Sequence, residues 1–292
     1  ALKPLVVYAP AIQTYGYTPA SVLQDEPTNF GGYTPRNSGY AYYGPVTIRT
    51  ALKNSLNVCA VALLNQIGIQ AGMDYLSSVG IPLDARDGNL SLALGSMTYG
   101  VSPVILAAAY SPFANGGVYH EPYFIEKITD LDGRIIYQHQ DSGTRVLSAQ
   151  SAYLMTDMLR TVTTSGTGAK LSGAGVQVAG KTGTVNMTGG GNRDVWMAAY
   201  TAEVSMATWM GFDNPDSSHR LAGWISGGDY PAALCRDFFK SWYSSREKPT
   251  FARPEGLVTA EIDKKSIEWR GQAMLASDLT PSAYRISEIF AA

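Results

Sequence analysis

Val176 and Val178 alternate with Gln177 and Ala179, a period of two that predicts a strand with one face toward a core. That strand runs into Gly180-Lys181-Thr182-Gly183-Thr184 with no turn signal before the lysine. Two further strands are predicted at Val195 to Thr201 and Val204 to Phe212, an antiparallel pair joined tightly at Ala202-Glu203. Elsewhere the apolar positions follow a helical period. Leu52, Leu56, Cys59, Val61, Leu63 and Leu64 form a broad stripe that predicts a helix from Val46 to Gly68, and a second follows over residues 69–79. Ser102 with Pro103 opens a helix that stops at Gly116-Gly117, Ser148 to Thr163 is amphipathic, and Tyr230 to Tyr243 carries Ala233, Leu234, Phe238, Phe239 and Trp242. Tyr123 to Thr129 and Arg134 to Tyr137 read as a hairpin turned at Asp132-Gly133. Residues 1–12 open as a helix with Lys3 and Pro4 in its first turn. Between Thr14 and Pro45 the residues are Gly, Pro, Asn and Tyr without periodicity, which predicts a long ordered loop. After Pro249 the composition turns polar, so residues 249–292 are expected to be an extended tail or connection behind a domain of residues 1–248.

Composition narrows the function. The chain has 292 residues, 45% of them hydrophobic, enough for one large domain or two lobes sharing a cleft. A net charge of −2 with interspersed signs argues against nucleic acid or an acidic membrane surface as partner. No apolar run approaches twenty residues, so this stretch does not span a membrane; Leu5 to Ile12 is short and broken by Pro10. Cys59 and Cys235 sit in apolar helical surroundings and read as buried thiols. His120, His139 and His219 lack metal-ligand spacing, and no metal or cofactor is expected.

The chemistry concentrates around Lys181. A strand bearing an ammonium, two hydroxyls and free amides suits a carboxylate and a reacting carbonyl, and Gly183 lets a ligand approach the backbone. Gly175, Gly180, Lys181 and Thr182 also satisfy the spacing of a phosphate loop. The context rejects that reading. A phosphate loop needs a strand before its first glycine and a helix opening at the lysine, whereas Val185 to Gly191 cannot start a helix. Lys3, the Ser55/Asn57 pair and Lys181 to Thr184 are far apart in sequence, and an antiparallel sheet edge facing helices would bring them into one cleft. Serine acylation without histidine needs such a set: a lysine base, a second serine to relay protons, and donors on a strand.

In that order the residues resemble the transpeptidase domain of bifunctional (class A) penicillin-binding proteins. Ala1-Leu2-Lys3-Pro4 is similar to the end of the family's serine-x-x-lysine-proline motif, and Gly44 to Leu52 leads into Ser55-Leu56-Asn57-Val58 as in the family. Leu94-Gly95-Ser96, Ala114-Asn115-Gly116-Gly117, Gly166-Thr167-Gly168 and Asn192-Arg193-Asp194 follow in the family's order. The resemblance implies an α+β fold of the penicillin-binding-protein and serine β-lactamase type, an antiparallel sheet flanked by helices with a helical lobe. It places the nucleophilic serine immediately before Ala1, so the fold is expected to be incomplete at its N-terminus. Lys3 would be the base, its charge suppressed by Lys181 and partial burial, and Ser55 would pass a proton to the leaving D-alanine. Asn57 would bond the substrate amide and steady Lys3, while Lys181, Thr182 and Thr184 would hold the terminal carboxylate beside Gly183. The implied partners are stem peptides ending in D-Ala-D-Ala and β-lactam antibiotics. The implied location is the extracytoplasmic face of a bacterial membrane, reached through an upstream anchor. A serine β-lactamase or D,D-carboxypeptidase shares these motifs and differs in whether water deacylates. A chain without the nucleophile would be a reversible β-lactam- or peptide-binding fragment.

Overall fold

A computed structural model describes residues 1–292. The chain enters through a wide π-helical turn, Pro4–Tyr8, continued by α1, Ala9–Thr14. Pro10 explains the widening: it cannot donate to Val6, and its ring crowds that carbonyl, so the Ala9 N–H reaches back to Pro4 instead. The stretch expected to be a loop does contain order. Within it β1, Val22–Asp25, pairs antiparallel with β2, Gly44–Thr47.

The helix expected from Val46 to Gly68 is two helices. α2, Ile48–Lys53, is capped by the Thr47 hydroxyl, and α3, Asn57–Ile67, follows after a break at Asn54 to Leu56. Ser55 causes the break, with φ at +55°, a left-handed conformation that no L-residue takes within a helix. α4, Ile69–Ser78, packs its Gly72 against the Val6 backbone so closely that a methyl group would not fit. α5, Pro103–Ala114, starts at the Ser102 cap as the sequence predicts. Next come β3 (Val118–Tyr119), β4 (Lys127–Thr129), β5 (Ile135–Gln138) and β6 (Thr144–Arg145), with β4 and β5 forming the expected hairpin. α6 spans Ala149–Ser165.

The central sheet has the order β7-β8-β9, all antiparallel, from Ala179–Asn186, Asn192–Tyr200 and Ser205–Gly211. β7 begins three residues later than the valine alternation suggests. Alternate side chains serve two cores. Ala179, Ala198 and Tyr200 join the main core with α2 to α6, while Met197 and Ala199 pack with Val178 against Ala232, Cys235 and Phe239 of α7, Tyr230–Trp242. Both cysteines are free and buried. Residues 249–292, expected from composition to be an extended tail or connection, build a second three-stranded sheet. β10 (Leu257–Asp263), α8 (Lys264–Arg270), β11 (Met274–Leu275) and β12 (Arg285–Ala291) give the order β11-β10-β12. Ile262 and Ile267 pack there on Ala20 near β1, which makes these residues part of the folded body.

Candidate active site

Three elements converge on one hydroxyl. Lys3 sits at the head of the π-helical turn, and its Nζ donates to the Ser55 carbonyl at 2.6 Å, to Ser55 Oγ at 3.1 Å and to Asn57 Oδ1 at 2.5 Å. Lys181 projects from β7, and its Nζ donates to the same Ser55 Oγ at 2.8 Å and to the Thr182 carbonyl at 3.0 Å. The left-handed backbone at Ser55 serves this arrangement, since it turns the Ser55 carbonyl and hydroxyl together toward Lys3. Lys3 is 8% exposed and Lys181 0%, so two buried amines share one half-buried hydroxyl.

Burial governs their protonation. It lowers Lys3 from 10.5 to about 7, opposed in part by the Cys59 thiol. Of the two causes expected to suppress the charge on Lys3, Lys181 and partial burial, burial is the main one. Lys181 is held well below the usual lysine range, first by burial and then by the charge on Lys3. Three acceptors around Lys3 match the three N–H bonds of an ammonium. When Lys3 loses one proton, the two acceptors of fixed orientation, the Ser55 carbonyl and Asn57 Oδ1, keep its remaining N–H bonds. The lone pair then faces Ser55 Oγ, so this hydroxyl is placed to pass a proton between two nitrogens.

The rest of the β7 segment lies beside this relay. Thr182 Oγ1 and Thr167 Oγ1 are hydrogen-bonded at 2.8 Å, and Thr184 Oγ1 accepts from the Gly227 N–H at 3.3 Å, leaving its own O–H free to donate. Gly183 faces the backbone of Ala1 and the Trp196 side chain, and a Cβ would strike Ala1. Position 183 is thus glycine because the chain at Ala1 lies against it, which brings that end of the chain to the relay. A separate cavity of about 430 Å³, lined by Arg160, Ser172 and Lys248, contains none of these residues.

Several neighbours escaped the sequence reading. Thr167 was visible only as part of a Gly-Thr-Gly landmark without a role. Gly227 and Gly228 press on the β7 backbone at Gly183 and on the Thr167 carbonyl, and their adjacency is the one signal that marked them. Asn37 and Arg36 lie in the stretch expected to be a loop. Asn37 Oδ1 accepts the Asn57 N–H at 2.8 Å, and the Arg36 carbonyl accepts from Asn57 Nδ2 at 2.7 Å.

A helix-borne lysine and a strand-borne lysine thus flank one serine hydroxyl, an arrangement suited to moving protons during acyl transfer. The chain belongs to the penicillin-binding protein transpeptidase domain family, whose model matches residues 1–227. It is 40% identical over 280 residues to penicillin-binding protein 1F of Bacillus subtilis, covering 95% of this chain and 38% of that protein. It is 34% identical over 278 residues to penicillin-binding protein 1A of Clostridium botulinum, covering 91% of this chain and 32% of the relative. The crystal structure of penicillin-binding protein 1A from Haemophilus influenzae superposes with a TM-score of 0.82 at 25% identity, over 100% of this chain and 47% of that one. The chain therefore spans less than two fifths of the length of these two curated relatives. The α+β fold of this family is the one observed.

Proposed function

We propose that this chain carries the acyl-transfer centre of a D,D-transpeptidase that crosslinks peptidoglycan stem peptides. The observation that carries the reading is Ser55 Oγ held between Lys3 Nζ at 3.1 Å and Lys181 Nζ at 2.8 Å. The nucleophile is a serine immediately preceding Ala1. Its oxygen bonds to the carbonyl carbon of the penultimate D-alanine, its proton passes to neutral Lys3, and the C–N bond to the terminal D-alanine breaks. Ser55 relays that proton to the departing amine, and Asn57 orients Lys3 and the substrate amide. Lys181, Thr182 and Thr184 hold the terminal carboxylate beside Gly183, and the Thr184 amide contributes to an oxyanion site. The amine of a second stem peptide then attacks the ester and restores the serine. β-Lactams acylate the same serine, in keeping with the relatives' names. No helix is long and apolar enough to cross a membrane, so work at the extracytoplasmic face would rest on an anchor elsewhere in the polypeptide.

Labelling of the full-length protein by a fluorescent penicillin tests this reading. The parent should be labelled covalently and lose the label over many minutes, while Lys181→Ala and Ser55→Ala should each be acylated about a hundredfold more slowly. Rapid turnover of the label would reassign the chain to the β-lactamase or D,D-carboxypeptidase type. Reversible binding alone would leave a binding module.

A further inference from the structure

Asn57 is the acceptor that aims Lys3, yet α3 begins at Asn57 with Leu56 before it and no side-chain cap of its own. The first N–H groups of a helix need acceptors from elsewhere. Here they come from Asn37, twenty residues upstream. Its Oδ1 accepts the Asn57 N–H at 2.8 Å and the Val58 N–H at 3.3 Å. Its Nδ2 donates to the Ala41 carbonyl at 3.0 Å and to both oxygens of Asp25, at 2.8 and 3.0 Å.

Asp25 is the anchor of this line. It lies at the end of β1, is fully buried and forms no salt bridge. Every group bonded to its carboxylate is a donor: Asn37 Nδ2, the Tyr43 N–H at 3.0 Å and the Cys59 thiol at 3.7 Å. A carboxylate surrounded by donors fixes which way the Asn37 amide points, with nitrogen to Asp25 and oxygen to the helix. Burying an acidic side chain for a helix cap alone is costly, since a cap needs no charge behind it. Its use becomes clear one bond further on, at the Asn57 side chain that touches Lys3.

We infer that Asp25 and Asn37 are positioning residues for the lysine relay: the line Asp25–Asn37–Asn57 fixes the first turn of α3 and so aims the Lys3 amine at Ser55 Oγ. The inference rests on the acyl-transfer reading for its consequence in rate, but its effect on Lys3 itself is measurable without any acylation. The titratable groups facing Lys3 are Lys181 from β7 and Cys59 from α3, with Asp25 bonded to that thiol from β1. Burial holds Lys3 low, and the first turn of α3 is one wall of that burial. Loosening the wall admits water and moves the titration of Lys3 toward the ordinary lysine value.

The experiment uses the full-length protein and three variants. Asn37→Ala removes the cap. Asp25→Asn sets a second amide nitrogen against Asn37 Nδ2. The exchange pair Asp25→Asn/Asn37→Asp restores the bond between the two side chains, because Asn at 25 donates to Asp at 37, whose other oxygen accepts the helix amides, and only the Ala41 carbonyl loses its donor. Both single variants should slow acylation by a fluorescent penicillin about ten- to a hundredfold. They should also move the midpoint of its pH profile, and the Lys3 titration followed by NMR, to higher pH. The exchange pair should acylate faster than Asp25→Asn. If single variants that fold keep the parent's rate and the parent's Lys3 midpoint, Asn37 is a helix cap only and the inference fails. It fails equally if the exchange pair is no faster than Asp25→Asn. A parent that titrates at Lys3 as described, with the variants shifted, but takes no label would overturn the acyl-transfer reading and leave the positioning of Lys3 standing.

Discussion

At the residue scale the decisive quantity is the protonation of two lysines that the fold deprives of water. Lys3 and Lys181 make hydrogen bonds, but no carboxylate pairs with either of them. The consequence for stability has a definite sign. Lys3 titrates near 7 in the folded chain and near 10.5 when unfolded, so between those values the unfolded chain binds a proton that the folded one does not. Stability from this group therefore rises with pH across the window, is fully penalised below about 7 and is unaffected above the unfolded value. Lys181 acts in the same direction. The buried Cys59 and Cys235 thiols, pushed upward by desolvation, oppose the trend only once an unfolded thiol ionises, near 9. Between pH 7 and 8.5 Lys3 should raise the unfolding free energy by up to about 1.4 kcal/mol per pH unit, with Lys181 adding to the climb in the same direction. Lys3→Met should flatten that climb. Urea denaturation at several pH values measures it, and identical slopes for parent and variant would show that Lys3 is charged in the fold.

At the element scale the site depends on backbones touching where side chains would intervene. A Cβ at Gly227 would meet the Trp196 carbonyl and both backbone polar atoms of Gly183, none of which can move without shifting β7 or β8. Gly227→Ala should therefore push the 226–229 turn off β7, free Thr184 Oγ1 from the Gly227 N–H and slow penicillin acylation about tenfold or more. A labelling time course checks this, and an unchanged rate would detach the turn from the site. Much of the architecture was legible at this scale. The residue types of the lysine-serine-lysine set could be read from their order, and the β8–β9 pair and the α5 and α6 helices from their periods. The break between α2 and α3 could not be. Leu52, Leu56 and Cys59 continue one apolar stripe across it, while the left-handed Ser55 is held by bonds from Lys3, 52 residues away. Asn37 was illegible for the same reason, since its partners are a distant carboxylate and two backbone amides. The C-terminal sheet was hidden by its composition: β10 and β12 pair along their whole lengths, but apolar and polar residues do not sort by face, with Val258 and Ile286 exposed and Glu288 buried.

At the scale of the whole molecule, one guanidinium joins parts of the chain far apart in sequence. Arg49, in the first turn of α2, donates Nη2 to Asp157 of α6 at 2.6 Å and makes a two-point contact to Glu288 of β12 at 2.5 and 2.7 Å. Its Nη1 reaches Thr161 Oγ1 at 2.9 Å. The C-terminal sheet is thereby fastened to the helix that leads directly to Ser55. Glu288 is 3% exposed, whereas Asp157 retains access to water, so the two carboxylates depend on Arg49 unequally. Removing the arginine leaves Glu288 as an uncompensated buried charge, a loss of about 3–5 kcal/mol. Removing Arg49 and Glu288 together leaves only the Asp157 carboxylate, which water can reach. Arg49→Met should thus destabilise the protein by about 3 kcal/mol in chemical denaturation, and Arg49→Met/Glu288→Met should regain most of that loss. If the double variant is no more stable than Arg49→Met, Glu288 is not paying a desolvation penalty. The C-terminal sheet would then be held to α2 by packing and not by this ion network.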